Sequence, residues 1–218
     1  MSLTNRGCCL TRLDRFADAL ADFDRVEPAQ TKDHIFLGYR ARCLHGIARY
    51  DEAISEYTHA LEIDPSYRIA LHGRGIALTR LRRFDDALTD LKRAASLPDA
   101  DAASSQELAR QIVAVYRQLA YLATQQHQPD MAIEYYDEVI RSSRWHDEPE
   151  YEDWAAEALM DKGKVLMAMG HAIEAQAVMI EFSNRYGEGR ALRLVLRSWR
   201  DRARIVMRRA YSGIRHQD

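Results

Sequence analysis

A five-residue pattern returns at fixed intervals: Phe16-Ala17-Asp18-Ala19-Leu20, then Tyr50-Asp51-Glu52-Ala53-Ile54, then Phe84-Asp85-Asp86-Ala87-Leu88, each 34 residues after the last. No other feature of the 218-residue chain constrains its fold as tightly, because self-similarity at this period marks one supersecondary unit copied and stacked. Twelve residues before each alanine stands a small residue: Gly7, Ala41 and Gly75. Four residues after it stands a large one, Phe23, Tyr57 or Leu91, and three further on come Val26, Ala60 and Ala94. The template returns at Ala132, with Ala120 before it and Tyr136 and Val139 after. It returns again at Ala175, with Gly163 before it and Met179 and Phe182 after, so five units are expected. The last two intervals are longer, 45 and 43 residues. The extra residues, around 101–112 and 146–155, are expected to lengthen the leading helices of units four and five.

Each column has a physical reason. A unit of two antiparallel helices cannot bury its apolar faces alone and must stack on its neighbours. Small residues belong where the two helices of a unit press closest, since overpacking there costs about 1–3 kcal/mol. Leu3, Leu37, Leu71, Tyr116 and Leu159 fall four before the small residue; Leu10, Leu44, Leu78, Ala123 and Leu166 fall three after it. That spacing is one face of a helix. Pro28, Pro65, Pro98 and Pro149 fall between units and Pro129 in the turn inside the fourth, where a missing amide does no harm. No segment shows the period-2 alternation of a half-buried strand.

The units resemble tetratricopeptide repeats, most clearly in Tyr50-Asp51-Glu52-Ala53-Ile54-Ser55-Glu56-Tyr57 through Leu61-Glu62-Ile63-Asp64-Pro65. Unit one departs from the pattern in having Thr31 at the closing proline position. The resemblance implies an all-α, right-handed α-solenoid of about five helix pairs, with units at about 1–33, 34–67, 68–101, 102–146 and 147–189. Residues 190–218 break the template. There Leu192, Val195, Leu196, Trp199, Ala203, Val206, Met207 and Ala210 make one apolar stripe, with arginines largely off it. A terminal helix with one apolar and one charged side is what a stacked array needs as a cap, and Trp199 is expected to be buried against the last repeat.

The resemblance also implies a function, non-enzymatic binding of a peptide or partner helix in a concave groove lined by the leading helices. By helical phase the groove is expected to carry Tyr39, Arg42, His45, His72, Arg80, Arg117, Tyr121 and Gln125. Asn5, Cys8, Arg12, Ile76 and Gln118 flank them, with Met160, Asp161 and Lys164 in unit five. Arginine and tyrosine are favoured anchors in recognition sites, so the expected ligand is a protein or peptide, acidic in character. Two specialised modes of the family find no support. The columns that would hold a lysine–asparagine clamp on a C-terminal carboxylate read Thr4, Cys8, Tyr39, Ile69 and Gly73, or Gly38, Arg42, Gly73, Ala114 and Gln118 one unit later. An asparagine ladder along peptide backbone is excluded by a chain with only Asn5 and Asn184. The alternatives are a regulatory segment of a larger multidomain protein, or attachment to nucleic acid or an anionic surface through the basic end.

Composition bears on those alternatives. The formal net charge is -2, which favours neither nucleic acid nor a membrane as partner of the whole chain. Nine arginines against Asp201 and Asp218 nonetheless make residues 189–218 strongly basic. A basic amphipathic helix can lie on a membrane, but the structural use of its apolar stripe as a cap is the preferred reading. No phosphate-cradling glycine loop, zinc-protease motif or nucleophile elbow is present, and no cofactor or catalytic residue is assigned. Cys9 and Cys43 occupy equivalent places in successive units and are read as small buried hydrophobes rather than ligands. Three cysteines without metal spacing suit reduced thiols in a cytoplasm. The acidic run 147–153 is read as the start of a helix. No polar cap precedes the first helix, so Leu3, Cys9 and Leu10 are expected to be partly uncovered and to favour self-association or fraying at that edge.

Overall fold

The computed structural model describes residues 2–26, 33–98, 102–143 and 149–186. The expected capping helix, Trp199 included, lies outside the described residues. Within them the chain forms ten helices and no strand: α1 (Leu3–Arg12), α2 (Phe16–Phe23), α3 (His34–Gly46), α4 (Tyr50–Ile63), α5 (Arg68–Arg80), α6 (Phe84–Ser96), α7 (Ala102–Gln125), α8 (Pro129–Ser143), α9 (Pro149–Ala168) and α10 (172–186). They fall into two compact units, Met1–Val115 and Tyr116–Asp218. The added residues of the two long intervals lengthen leading helices, as the spacing implies: α7 has 24 residues and α9 has 20. Residues 149–153 of the acidic run do open α9, with Pro149 as its first residue, where proline's missing amide costs nothing. Pro129 likewise opens α8 rather than standing in the turn before it.

In the first unit the helices pair as α1 with α2, α3 with α4, and α5 with α6. Each trailing helix also packs on the next leading helix, α2 on α3 and α4 on α5, and the leading helices touch along one layer, α1–α3–α5. The small-residue column explains the pairing. A Cβ on Gly7 would stand 2.8 Å from the Phe23 ring, and one on Gly75 would stand 2.8 Å from Leu91. Phe23 and Leu91, each four after its repeat alanine, therefore fill the notch left by the small residue of their own leading helices. Ala19, Ala53 and Ala87, on the opposite helix, are fully buried.

The turn inside each unit is built the same way five times. The residue after the leading helix's cap adopts positive φ: Asp14 at 55°, Ala48 at 62°, Arg82 at 62°, His127 at 56° and Gly170 at 83°. The next amide then reaches back five residues to the helix: Arg15 to Leu10, Arg49 to Leu44, Arg83 to Leu78, Gln128 to Ala123 and His171 to Leu166, all at 2.9–3.0 Å. This is the Schellman closure, which satisfies carbonyls the helix end would leave unpaired. Its recurrence gives the five units a structural signature independent of their side chains. The sequence conceals it, because only Gly170 is the residue the motif prefers.

Candidate functional site

Two sets of arginines separate on the leading helices of the first unit. Arg6, Arg40 and Arg74 occupy one column, immediately before the small residue, where the tetratricopeptide pattern has leucine. Arg6 grips Asp22 of its own unit in a bidentate pair at 2.6 and 2.5 Å. Arg74 does the same to Asp90 at 2.7 and 2.8 Å, and its third nitrogen donates to Thr58 Oγ1 of the preceding unit at 3.0 Å. Arg40 pairs with Glu56 of its own unit and reaches back to Asp24 at 3.0 Å. Asp22 and Asp90 are buried, and the Arg6 guanidinium holds the Asp22 carboxyl below its ordinary range. These arginines are stitches in the scaffold.

Arg42 and Arg80 are different. Both are exposed, and neither makes a hydrogen bond or ion pair with another described residue. Both lie within electrostatic reach of His45, as does His72. Burial, then the charges of Arg80 and Arg42, push the His45 imidazole below its ordinary pKa. Burial does the same to His72, opposed by the nearby Glu107 carboxylate. Nε2 of each histidine is buried without a hydrogen-bond partner. Of the sequence-predicted residues, Arg42, His72 and Arg80 thus lie within electrostatic reach of His45, and the two arginines have no other described partner. Tyr39 stands near Tyr67. Tyr67, which helical phase misses because it caps α5 from the connecting segment, packs its ring edge-on to His34 at 4.9 Å and is pushed up to about 12 chiefly by burial.

The second unit carries Arg117, Tyr121 and Gln125. Tyr121 is 61% exposed and Gln125 is exposed on α7. Arg117 is not free: it bonds Glu157 at 2.7 Å and lies over the Trp154 ring, 5.1 Å from its centroid. Trp154 and Glu157 were legible, since continuing the face of Asp161 one turn back along the lengthened α9 reaches Glu157 and then Trp154. Met160, expected on the groove, is buried in the core instead, beside Leu159 and Gly163 on the packed face of α9. Lys164 is bound to Asp161 at 2.6 Å.

The cysteines divide. Cys43 is fully buried, with its Sγ 3.1 Å from the Thr11 hydroxyl. Cys9, in the same column, is exposed; the reading of both as buried hydrophobes fails for Cys9 because no described helix covers that side of α1.

The tetratricopeptide repeat family matches residues 40–67, the stretch from the Arg40 stitch to Tyr67. No curated protein sequence matches the chain. Among solved structures the chain is similar to MamA, at 17% identity and a TM-score of 0.54, covering 85% of this chain and 92% of that one. MamA from Desulfovibrio magneticus RS-1 gives 14% and 0.52, covering 84% and 92%. The second TPR domain of human RPAP3, solved with the HSP70 peptide SGPTIEEVD, is 25% identical over 50% of this chain and 92% of its own, at a TM-score of 0.44. Residues 40–67 thus match a tetratricopeptide repeat, and the described residues share the all-helical fold of the MamA structures.

Proposed function

We propose that this protein is a non-enzymatic interaction module whose leading-helix face in the first unit binds an acidic peptide or partner helix. The observation that carries the proposal is the contrast between arginines. Arg6, Arg40 and Arg74 are consumed by carboxylates of the scaffold, whereas Arg42 and Arg80 stand exposed and unpaired within electrostatic reach of His45. Unpaired cations beside buried imidazole nitrogens without a partner supply donors for carboxylates, and charge complementarity of this kind sets specificity and association rate. Tyr39 adds aromatic contact area.

The test is a pair of charge variants. Arg42→Ala with Arg80→Ala should weaken binding of a panel of acidic, fluorescently labelled peptides at least about tenfold while leaving the melting temperature nearly unchanged, since exposed unpaired arginines contribute little to stability. Unchanged affinity across the panel would reject the assignment. A salt titration separates this reading from attachment to nucleic acid through the basic end. Counterion release on a polyanion makes affinity fall steeply with salt, whereas two arginine contacts give a shallow dependence.

A further inference from the structure

Two leading helices of the first unit each carry an imidazole with a polar atom that the fold buries and gives no partner. Nε2 of His45 on α3 and Nε2 of His72 on α5 are both buried without a hydrogen bond. Buried polar atoms in folded proteins are nearly always satisfied, so each nitrogen is an exception that needs a reason. A neutral ring can keep its proton on Nδ1 and leave Nε2 as a lone pair. A protonated ring carries a donor on both nitrogens, one of them buried with nothing to receive it.

The groups around the two rings come from every helix packed on α3 and α5. His45 has Arg42 one turn earlier on α3, Arg80 and His72 on the adjacent α5, and the Tyr50 ring of α4 with its centroid 5.4 Å away. From α2 the uncharged Phe16 ring stands against Gly46, next to His45. Beside His72, Tyr57 of α4 stands against Gly73 and Leu91 of α6 against Gly75, and neither is charged. The carboxylate within reach of His72 is Glu107 of α7, which also accepts from Gln111 at 2.7 Å and Arg110 at 3.4 Å. Burial, then the charges of Arg80 and Arg42, oppose a proton on His45. Burial opposes one on His72 and outweighs Glu107.

We infer that the peptide face is gated by pH: an acidic ligand on Arg42 and Arg80 and protons on His45 and His72 bind together, so acidification tightens the complex. The inference rests on the peptide-face reading above. A carboxylate seated on the two guanidinium groups offsets the positive charge that opposes protonation of His45 and brings negative charge within reach of its ring. Binding then draws protons from solution, and by reciprocity a lower pH strengthens binding. The sign follows from the free chain. At about pH 8 both rings are neutral with or without ligand, and affinity is level. As the pH falls, the bound chain protonates before the free chain, whose rings resist, and affinity climbs. The ligand's own carboxylates set the lower limit, at about pH 4.

The probe is a fluorescently labelled aspartate-rich peptide, titrated into the full chain by anisotropy at constant ionic strength. Its affinity should be at least about threefold higher at about pH 5.5 than at about pH 8. In the His45→Gln, His72→Gln protein the two affinities should agree. A second measurement needs no variant: NMR titration of the imidazole Hε1 protons should place the His45 and His72 midpoints higher with saturating peptide than without it. If the double variant does not fold or does not bind, those midpoints decide. Equal affinity at both pH values, or midpoints that the peptide leaves unmoved, would overturn the inference while the peptide face stands. A pH dependence that survives in the double variant would belong to another group and overturn it too. No binding of the peptide at either pH would overturn the peptide face itself, and the gate with it.

Discussion

Ala48 sits at φ 62° in the turn between α3 and α4, a region where a Cβ crowds the following carbonyl and costs an L-residue about 1–2 kcal/mol. Glycine has no such penalty but loses more backbone freedom on folding. Ala48→Gly is therefore expected to raise stability by about 0.5–1 kcal/mol, measured by chemical denaturation; a loss would mean that the turn is not strained. Gly73 shows the opposite constraint. A Cβ there would run into the ring of the buried Tyr57, which has nowhere to retreat. Gly73→Ala gains about 1 kcal/mol of helix propensity and loses about 1–3 kcal/mol to overpacking, so a net destabilisation is expected in the same assay. His45 and His72 make stability depend on pH. Both have folded-state pKa values below the ordinary 6.5, so as the pH falls through 6.5 the unfolded chain takes up protons that the folded chain refuses. Their contribution is fully present above that value and is lost on acidification toward the depressed folded values. Replacing both with glutamine should flatten the stability profile between about pH 7 and pH 5.

At the scale of elements, the arginine column shows how this chain stitches helix to helix. Leucine in that column would hold two helices by contact alone; a forked guanidinium spans three, its own helix, its partner and the trailing helix before it. The arrangement requires buried carboxylates that are never left alone. Asp90→Ala should cost about 2–3 kcal/mol, because it strands the half-buried Arg74 without its bidentate partner. Adding Arg74→Leu to that variant should restore part of the loss by removing the stranded charge, and a double-mutant cycle in urea measures both. Failure of the second change to rescue would show that the loss is one of packing. The lengthened α9 contributes differently: its added turns bring Trp154 and Glu157 onto Arg117, converting an arginine expected to be free into a structural one.

Over the whole chain, burial of the leading helices rises from α1 to α3 and stays level at α5 in the first unit. In α1 only Gly7 and Thr11 are buried, whereas α3 and α5 each bury five residues. In an array held by nearest-neighbour contacts, the element with a neighbour on one side only opens first. Native-state hydrogen exchange should show α1 least protected of the three, with α3 and α5 close to the global value. Equal protection throughout would mean that the exposed face of α1 is already covered in solution.

The repeat columns are local in sequence and each has a single steric meaning, so spacing alone determined the helical class and the lengthening of α7 and α9. Of the residues that helical phase put on the groove, Arg42, His72 and Arg80 lie within electrostatic reach of His45. What phase cannot know is which partner a charge finds. Arg40 and Arg42 stand two residues apart, yet one meets two carboxylates of flanking helices and the other meets none. Cys9 and Cys43 are equivalent in the repeat and opposite in burial, since burial depends on the helix that comes before. The five turns also stayed hidden, because hydrogen bonding to the helix end imposes positive φ on aspartate, alanine, arginine and histidine alike. Sequence fixes what each helix presents; the stacking of helices decides which of those surfaces are spent on the scaffold and which remain free to bind.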